Sequence, residues 1–111
     1  MPKDPQKQRE AKQRWYAKNR QVYFDRNIKR RDTCKEVLLE VKGAPCLDCG
    51  VVYPHYVMDF DHRDGATKKS DVSRLARDGM LEAMLEEIGK CDLVCANCHR
   101  IRTHERRSRV V

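Results

Sequence analysis

The sequence is short of the residues that build a large hydrophobic core. Only 6% of its 111 residues are aromatic, while 37% are charged. A chain of this length forms one modest domain with an appendage, and burial alone gives so small a core little stability. The composition therefore predicts that something besides burial helps to hold the fold together.

Two kinds of segment are also missing. No apolar run near Met1 resembles a signal peptide, and no stretch approaches the length of a transmembrane helix. We therefore expect a cytoplasmic protein without a membrane partner, whose six cysteines stay reduced.

Positive charge is in excess, and the excess lies in one part of the chain. The net charge is +7, and residues 1–42 hold 13 basic residues against 6 acidic ones. Residues 43–111 hold 11 of each. We predict a basic helical arm at residues 1–43, a nearly neutral domain at residues 44–111, and a polyanionic partner.

The arm is predicted to contain two helices. Neither glycine nor proline occurs from residue 6 to residue 31, which predicts a helix over 6–31. Thr33 and Glu36 match a capping box, which predicts a second helix over 33–42.

The first of these helices carries a narrow apolar stripe that includes Trp15 and Val22, with basic residues around it. The stripe packs on the domain or on a second copy, or the basic surface contacts phosphates, and the two are compatible. The basic candidates for that contact are Arg14, Lys18, Arg20, Arg26 and Arg30.

Two Cys-x-x-Cys pairs are the strongest motif in the chain. They are Cys46/Cys49 and Cys95/Cys98, and 45 residues separate them. Each pair places two thiolates on a tight turn, and two such turns complete a closed tetrahedral zinc site. Such a site is structural, and the alternative is a set of unpaired core cysteines.

Residues 57–62 alternate apolar and acidic positions and end in the pair Asp61-His62. Alternation with a period of two predicts a half-buried strand, with Met58 and Phe60 on its packed face. A carboxylate at a strand end can bind a hard divalent cation, and a neighbouring imidazole can take a proton from water. The alternative is a polar strand end without chemistry.

His99 directly follows Cys98, so the cysteine pair holds it in place. On the helix predicted to start there, Arg102 and Arg106 lie on the same face as His99, and this face suits a metal and phosphates. The alternative is a surface histidine beside a zinc turn. In the domain, the candidates for contact with nucleic acid are Lys68, Lys69, Arg102 and Arg106.

Taken in order, the first cysteine pair, Asp61-His62, the second cysteine pair and His99 resemble the HNH endonuclease family, and most closely its small phage and prophage members. The resemblance covers residues 45–107. It implies a zinc-stabilised α+β domain of the ββα-metal fold, preceded here by the basic arm. It also implies a DNA partner, the host cytoplasm as location, and phage packaging proteins as further partners.

Carried over by position, the resemblance implies that Asp61 and His99 bind one catalytic divalent cation, Mg²⁺ or Mn²⁺. It implies His62 as the general base and the four paired cysteines as ligands of a structural Zn²⁺. The chain departs from the family at its middle Asn, in whose place Lys90 stands. What supports His62 is therefore open.

The leading hypothesis is a metal-dependent DNA endonuclease that hydrolyses phosphodiester bonds with weak sequence preference. The alternative is a catalytically inactive, zinc-stabilised accessory protein that binds nucleic acid or acts in DNA packaging. A third hypothesis is a protein-interaction module that uses the amphipathic basic helix.

Overall fold

Helices make up most of the chain, and two short strands pair between them. The structure, a computed structural model, describes residues 4–109, with the backbone alone at position 109. Its elements are α1 (Pro5–Lys18), α2 (Arg20–Val41), β1 (Met58–His62), α3 (Val72–Arg77), α4 (Leu81–Ile88), β2 (Cys91–Cys95) and α5 (Ala96–Arg109). Single 3-10 turns occur at His55–Val57 and Gly65–Thr67. This mixture confirms the predicted α+β class.

The N-terminal helices divide at Asn19 and not near residue 32. The backbone N–H and the side-chain amide of Asn19 both donate to the carbonyl of Trp15, at 2.9 and 2.8 Å. Asn19 thereby ends α1, because its short amide competes with the backbone for the last carbonyls. The predicted helix boundaries, 6–31 and 33–42, are wrong at this junction.

Thr33, the predicted cap, lies inside α2. Its hydroxyl donates to the carbonyl of Lys29 at 2.9 Å, as threonine does within a helix. Cys34 is fully buried, and Val37 and Leu38 pack beside it. Packing of this continuous face against the domain outweighs the local capping signal, since tertiary burial supplies most of a helix's stability.

A helical core forms where α2, α3 and α4 meet. Its buried members are Cys34, Val72, Leu75 and Met84, and Phe60 of β1 packs against them. The turn from α3 to α4 closes tightly on α2 at Gly79, whose φ is +70°. A Cβ at Gly79 would lie 3.0 Å from the Cβ of Arg30, so only glycine fits both the dihedral angle and the contact.

The sheet is one antiparallel pair of strands. Met58 of β1 pairs with Cys95 of β2, and His62 pairs with Cys91 at the other end. A second small core lies beneath the pair, with Cys46, Met58, Val94 and Cys95 buried. α5 follows β2 without a loop and packs on both strands.

The arm extends from this domain, and the molecule measures 58 × 32 × 17 Å. α1 has no buried residue, and Cys34 is the one buried residue of α2. Trp15 is 46% exposed and Val22 is 44% exposed, so the apolar stripe does not pack on the described domain. Edge-to-face contact of Tyr16 with Tyr23, at 5.1 Å between ring centroids, joins the two helices.

Candidate metal centre and active site

Four cysteine side chains converge beside the sheet. The sulfur atoms of Cys46, Cys49, Cys95 and Cys98 all lie within 4.8 Å of one another. Sulfur atoms around a tetrahedral zinc, each about 2.3 Å from the metal, are about 3.8 Å apart. The cluster therefore has the donors and the spacing of a closed four-thiolate metal site, as the two motifs predict.

Backbone N–H groups in this cluster stabilise the thiolate form of its cysteines. The N–H of Cys95 donates to the sulfur of Cys46 at 3.2 Å, and that of Cys98 donates to the sulfur of Cys95 at 3.4 Å. Burial disfavours the Cys46 thiolate, but backbone N–H groups from Cys49, Cys95 and Asp48 outweigh it and lower its pKa to about 6.

Four thiolates cannot share so small a volume without a cation. The hydrogen bond with Cys95 and burial raise the pKa of Cys98 to about 12, because a further negative charge is repelled there. A bound dication removes this conflict by binding all four sulfurs in their charged form. The chemistry of the donor set thus fits a metal.

The other two cysteines lie outside the cluster. Cys34 belongs to the helical core. The thiol of Cys91 donates to the carbonyl of Glu87 at 3.2 Å, and burial raises its pKa, so it stays protonated. Both are scaffold residues.

Asp61, at the end of β1, is buried and held by two arginines. Arg106 donates to both carboxylate oxygens at 2.8 and 2.7 Å, and Arg102 donates to one of them at 3.0 Å. Burial of Asp61 opposes its charge, but the hydrogen bonds from Arg106 and Arg102 prevail and lower the pKa of its carboxyl group. Asp61 is therefore ionised, and its hydrogen-bond partners in this structure are the guanidinium groups of Arg102 and Arg106.

Arg102 joins the cysteine cluster to the strand end. Its guanidinium donates twice to Asp48, at 2.6 Å each, and once to Asp92 at 2.9 Å, besides its bond to Asp61. Asp48 stands between the first two cysteines, so the bidentate pair ties that turn to α5. Occupation by three carboxylates argues against the prediction that Arg102 contacts nucleic acid.

His99 points one ring nitrogen towards Asp61 because the other is held by Asp59. Its Nδ1 lies 3.1 Å from a carboxylate oxygen of Asp59, and its Nε2 lies 3.6 Å from Oδ1 of Asp61. In a neutral ring, the carboxylate of Asp59 places the N–H at Nδ1, which leaves the lone pair on Nε2, the nitrogen nearer Asp61. Sequence reasoning missed Asp59, although alternation places it on the Asp61 face of the strand.

His62 faces the opposite side of β1, towards α4. Its Nε2 lies 2.9 Å from Oε2 of Glu87, and the two side chains are only 10% and 3% exposed. The other oxygen of Glu87 accepts from the ammonium of Lys90 at 2.7 Å and from the backbone N–H of Lys69 at 3.3 Å. Lys90, with His62, lowers the pKa of Glu87 to about 2.

Glu87 is the second site residue that sequence reasoning missed. It lies three residues after Met84, and both are buried on one face of α4. A glutamate on an apolar helix face was the available signal, because a buried carboxylate requires partners.

The three predicted residues meet at one cleft despite strand alternation. Asp61 and His62 leave β1 on opposite faces, and the cleft lies across the strand end, where residues 60–65 line it together with His99 and Arg106. Its volume is about 520 Å³. Lys68 also lines it and pairs with Asp71 at 2.6 Å, whereas Lys69 pairs with Glu86 at 3.5 Å.

The basic residues of the arm lie on exposed helix surface. Two of them also have structural contacts: Arg20 lies over the ring of Phe24 at 5.6 Å, and the Cβ of Arg30 packs on Gly79. The five predicted contact residues are all exposed, namely Arg14, Lys18, Arg20, Arg26 and Arg30.

Comparison with models of protein families, with curated proteins and with solved structures gave no match. Within residues 4–109, no helix combines the length and the apolar character that crossing a membrane requires.

Proposed function

We propose that the chain is a metal-dependent endonuclease of the HNH type that hydrolyses phosphodiester bonds in DNA. The observation that carries the proposal is the meeting of Asp61, His62 and His99 at one cleft, beside a four-cysteine cluster. The order of strand, strand and helix around that cleft is the one that the sequence resemblance implies. A protein that only binds DNA has no need of a buried carboxylate and an imidazole that line the same cleft.

In this proposal Asp61 and His99 hold one divalent cation. Nε2 of His99 and Oδ1 of Asp61 lie 3.6 Å apart, so one cation could contact both after a small shift of the side chains. When bound, such a cation neutralises phosphate charge and stabilises the leaving oxygen.

His62 acts as the general base. Because Glu87 takes Nε2, the nitrogen left to accept a proton is Nδ1. A water molecule in the cleft, in line with the scissile bond, gives its proton to that nitrogen as it attacks phosphorus.

Of the two arginines predicted on α5 to contact nucleic acid, Arg106 is the one that we propose binds phosphate. Its side chain is 48% exposed, lines the cleft and forms a bidentate pair with Asp61. A phosphate presents the same two-oxygen geometry to a guanidinium. An entering phosphate therefore competes with Asp61 for Arg106, which leaves Asp61 available to the cation.

The four cysteines hold a structural zinc ion, and the arm supplies affinity for DNA. Four thiolates close the coordination shell, so this metal takes no part in hydrolysis. Deleting residues 1–19 should leave the fold intact, since α1 buries no residue. DNA binding should weaken and its dependence on salt should flatten, because fewer counterions are released. Unchanged affinity and salt slope would assign the arm to a protein partner.

The test of activity is nicking of a supercoiled plasmid by zinc-loaded protein. We expect cleavage with Mg²⁺ or Mn²⁺ and none with EDTA at a concentration that leaves the zinc bound. His62→Ala, prepared in parallel and shown to contain zinc, should bind the plasmid without nicking it. Equal nicking by both proteins would identify a contaminating nuclease.

One observation favours the alternative, an inactive accessory protein that binds nucleic acid or takes part in packaging. Arg102 and Arg106 already neutralise Asp61, as they would in a purely structural ion-pair cluster. Tight DNA binding without cleavage in any divalent metal would decide for this function.

A further inference from the structure

Glu87 is a buried carboxylate that contacts the proposed base His62 and is itself neither base nor metal ligand in the proposed function. It is 2% exposed and lies on the apolar face of α4 beside Met84. Burial of a carboxylate is unfavourable unless its oxygens are hydrogen-bonded, and here each oxygen has a partner. Oε2 faces the imidazole of His62, while Oε1 accepts from Lys90 and from the amide of Lys69.

We propose that Glu87, held by Lys90, is the positioning residue for the base His62. The inference rests on the proposed function, because it assigns a task within the same site. The family that the sequence resembles has an asparagine near position 90, where this chain has lysine. In this chain the supporting group comes instead from the preceding helix turn.

The contact between Glu87 and His62 determines which ring nitrogen of His62 can accept a proton. An ionised carboxylate has no proton to donate, so the imidazole must place its N–H at Nε2. The lone pair then lies on Nδ1. A base oriented by a third group in this way is the arrangement that activates nucleophiles in many hydrolases.

Lys90 and the Lys69 amide keep Glu87 itself in place. They bind the oxygen that does not face His62, at 2.7 and 3.3 Å, and so fix the rotation of the carboxylate. The side chain of Lys90 also donates to the carbonyl of Thr67 at 2.9 Å, which ties it to the turn after β1. Both ends of the contact are therefore anchored, the imidazole by its strand and the carboxylate by its helix and that turn.

The matched variants are Glu87→Gln and Glu86→Gln. Glutamine at 87 keeps the size and an acceptor oxygen, but it loses the charge that holds Lys90 and His62. Glu86 is the neighbouring carboxylate, 62% exposed, and its partner in the structure is Lys69 at 3.5 Å. Comparing them separates the contact to His62 from a general loss of negative charge on α4.

With zinc content and melting curves confirming the fold, Glu87→Gln should lower kcat at saturating DNA about 10- to 100-fold. The Kd for DNA should change less than about twofold. Glu86→Gln should alter neither quantity. In a His62→Ala background, Glu87→Gln should cost nothing further, because its effect passes through the imidazole. Additive losses, or a wild-type rate in Glu87→Gln, would overturn the inference.

The tautomer of His62 provides a readout that does not depend on cleavage. Long-range ¹H–¹⁵N NMR of the zinc-loaded chain should show the proton on Nε2, and Glu87→Gln should show both tautomers. The same tautomer in both proteins overturns the positioning inference. A wild-type chain that never cleaves DNA, yet shows the shift between tautomers, fails the proposed function and retains the contact.

Discussion

The two candidate metal sites of this protein lie on the same sheet, yet they differ in what surrounds their donors. At the cysteine cluster four sulfurs lie within 4.8 Å of one another. At the cleft, Asp61 and His99 offer two donors, and two arginines already bind the carboxylate. The first arrangement is that of a closed four-thiolate metal site. The second is open, and a cation at Asp61, as we propose, would compete there with two guanidinium groups.

The difference between the two sites implies that one contributes to stability and the other to the proposed activity. Closed coordination contributes its binding free energy to folding, whereas an open site keeps positions for water and substrate. Ion pairs from Arg102 and Arg106 hold Asp61 at the open site in the structure.

The largest effect is expected at the closed site. Cys46→Ser or Cys98→Ser should unfold the domain, because an apparent zinc affinity of about 10–16 kcal/mol matches or exceeds the stability of about 5–15 kcal/mol typical of a whole domain. Metal analysis and circular dichroism measure the loss. Cys91→Ser is the matched control and should keep both zinc and fold, since Cys91 lies outside the cluster. A cooperatively folded Cys46→Ser without metal would contradict a structural zinc.

At the open site, His62→Ala and His99→Ala should fail in different ways. Loss of the base should reduce cleavage on the order of 10²- to 10⁴-fold at any metal concentration. Loss of a ligand should weaken cation binding, so high Mn²⁺ should restore part of the rate of His99→Ala. Titration of each variant with Mn²⁺ measures the difference. Recovery of both variants to the same extent would remove the distinction between base and ligand.

Substitutions of the two arginines that bind Asp61 should also differ in their effects. Arg102 is 19% exposed and binds three carboxylates, so Arg102→Gln should lower the free energy of unfolding by about 1–3 kcal/mol. Arg106, at 48% exposure, should matter less for stability. Arg106→Gln should tighten binding of the divalent cation and weaken DNA binding. Denaturant unfolding measures stability, and Mn²⁺ titration measures cation binding. Weaker cation binding in Arg106→Gln than in the wild type would show that Arg106 does not compete with the cation for Asp61.

The smallest effect concerns pH. The pKa of Glu87 falls from its ordinary 4.5 to about 2 in the fold, so its contribution to stability is complete above pH 4.5. That contribution decreases as the pH drops towards 2, because the unfolded chain then binds the proton more tightly. The difference in unfolding free energy between wild type and Glu87→Gln should therefore be constant above about pH 5 and shrink below it. The comparison is made at pH values at which metal analysis shows that both proteins still hold zinc. A difference in unfolding free energy that does not change with pH would show that the charge of Glu87 does not stabilise the fold.

Much of the site could be predicted because its signals are local. A Cys-x-x-Cys pair brings two thiols together through the geometry of a single turn. Asp61 and His62 are neighbours on one strand, and His99 follows a cysteine of the cluster. Met58 and Phe60 were expected on a packed face, and each packs against a core.

The residues that were missed act across long separations in the chain. Glu87 meets His62 across 25 positions, and Asp59 meets His99 across 40. Local sequence marks the two acidic residues by their helix or strand face but does not give their partners, since these depend on how α4 and α5 pack on β1. The predicted boundary near residue 32 was wrong for a related reason, because burial of Cys34 stabilises α2 straight through the local cap signal at Thr33.

The sequence by itself determined the donors: two cysteine pairs, an aspartate beside a histidine, and a histidine beside the second pair. Short-range covalent geometry places the two members of each pair within a few ångströms of one another, and pairing of β1 with β2 brings the separate pairs together. Tertiary structure alone decided what these donors face, because partners come from distant elements. It set Arg102 and Arg106 on Asp61, Asp59 on His99 and Glu87 on His62. Electrostatic partners follow from packing, since a charge interacts with whatever the fold brings within a few ångströms of it.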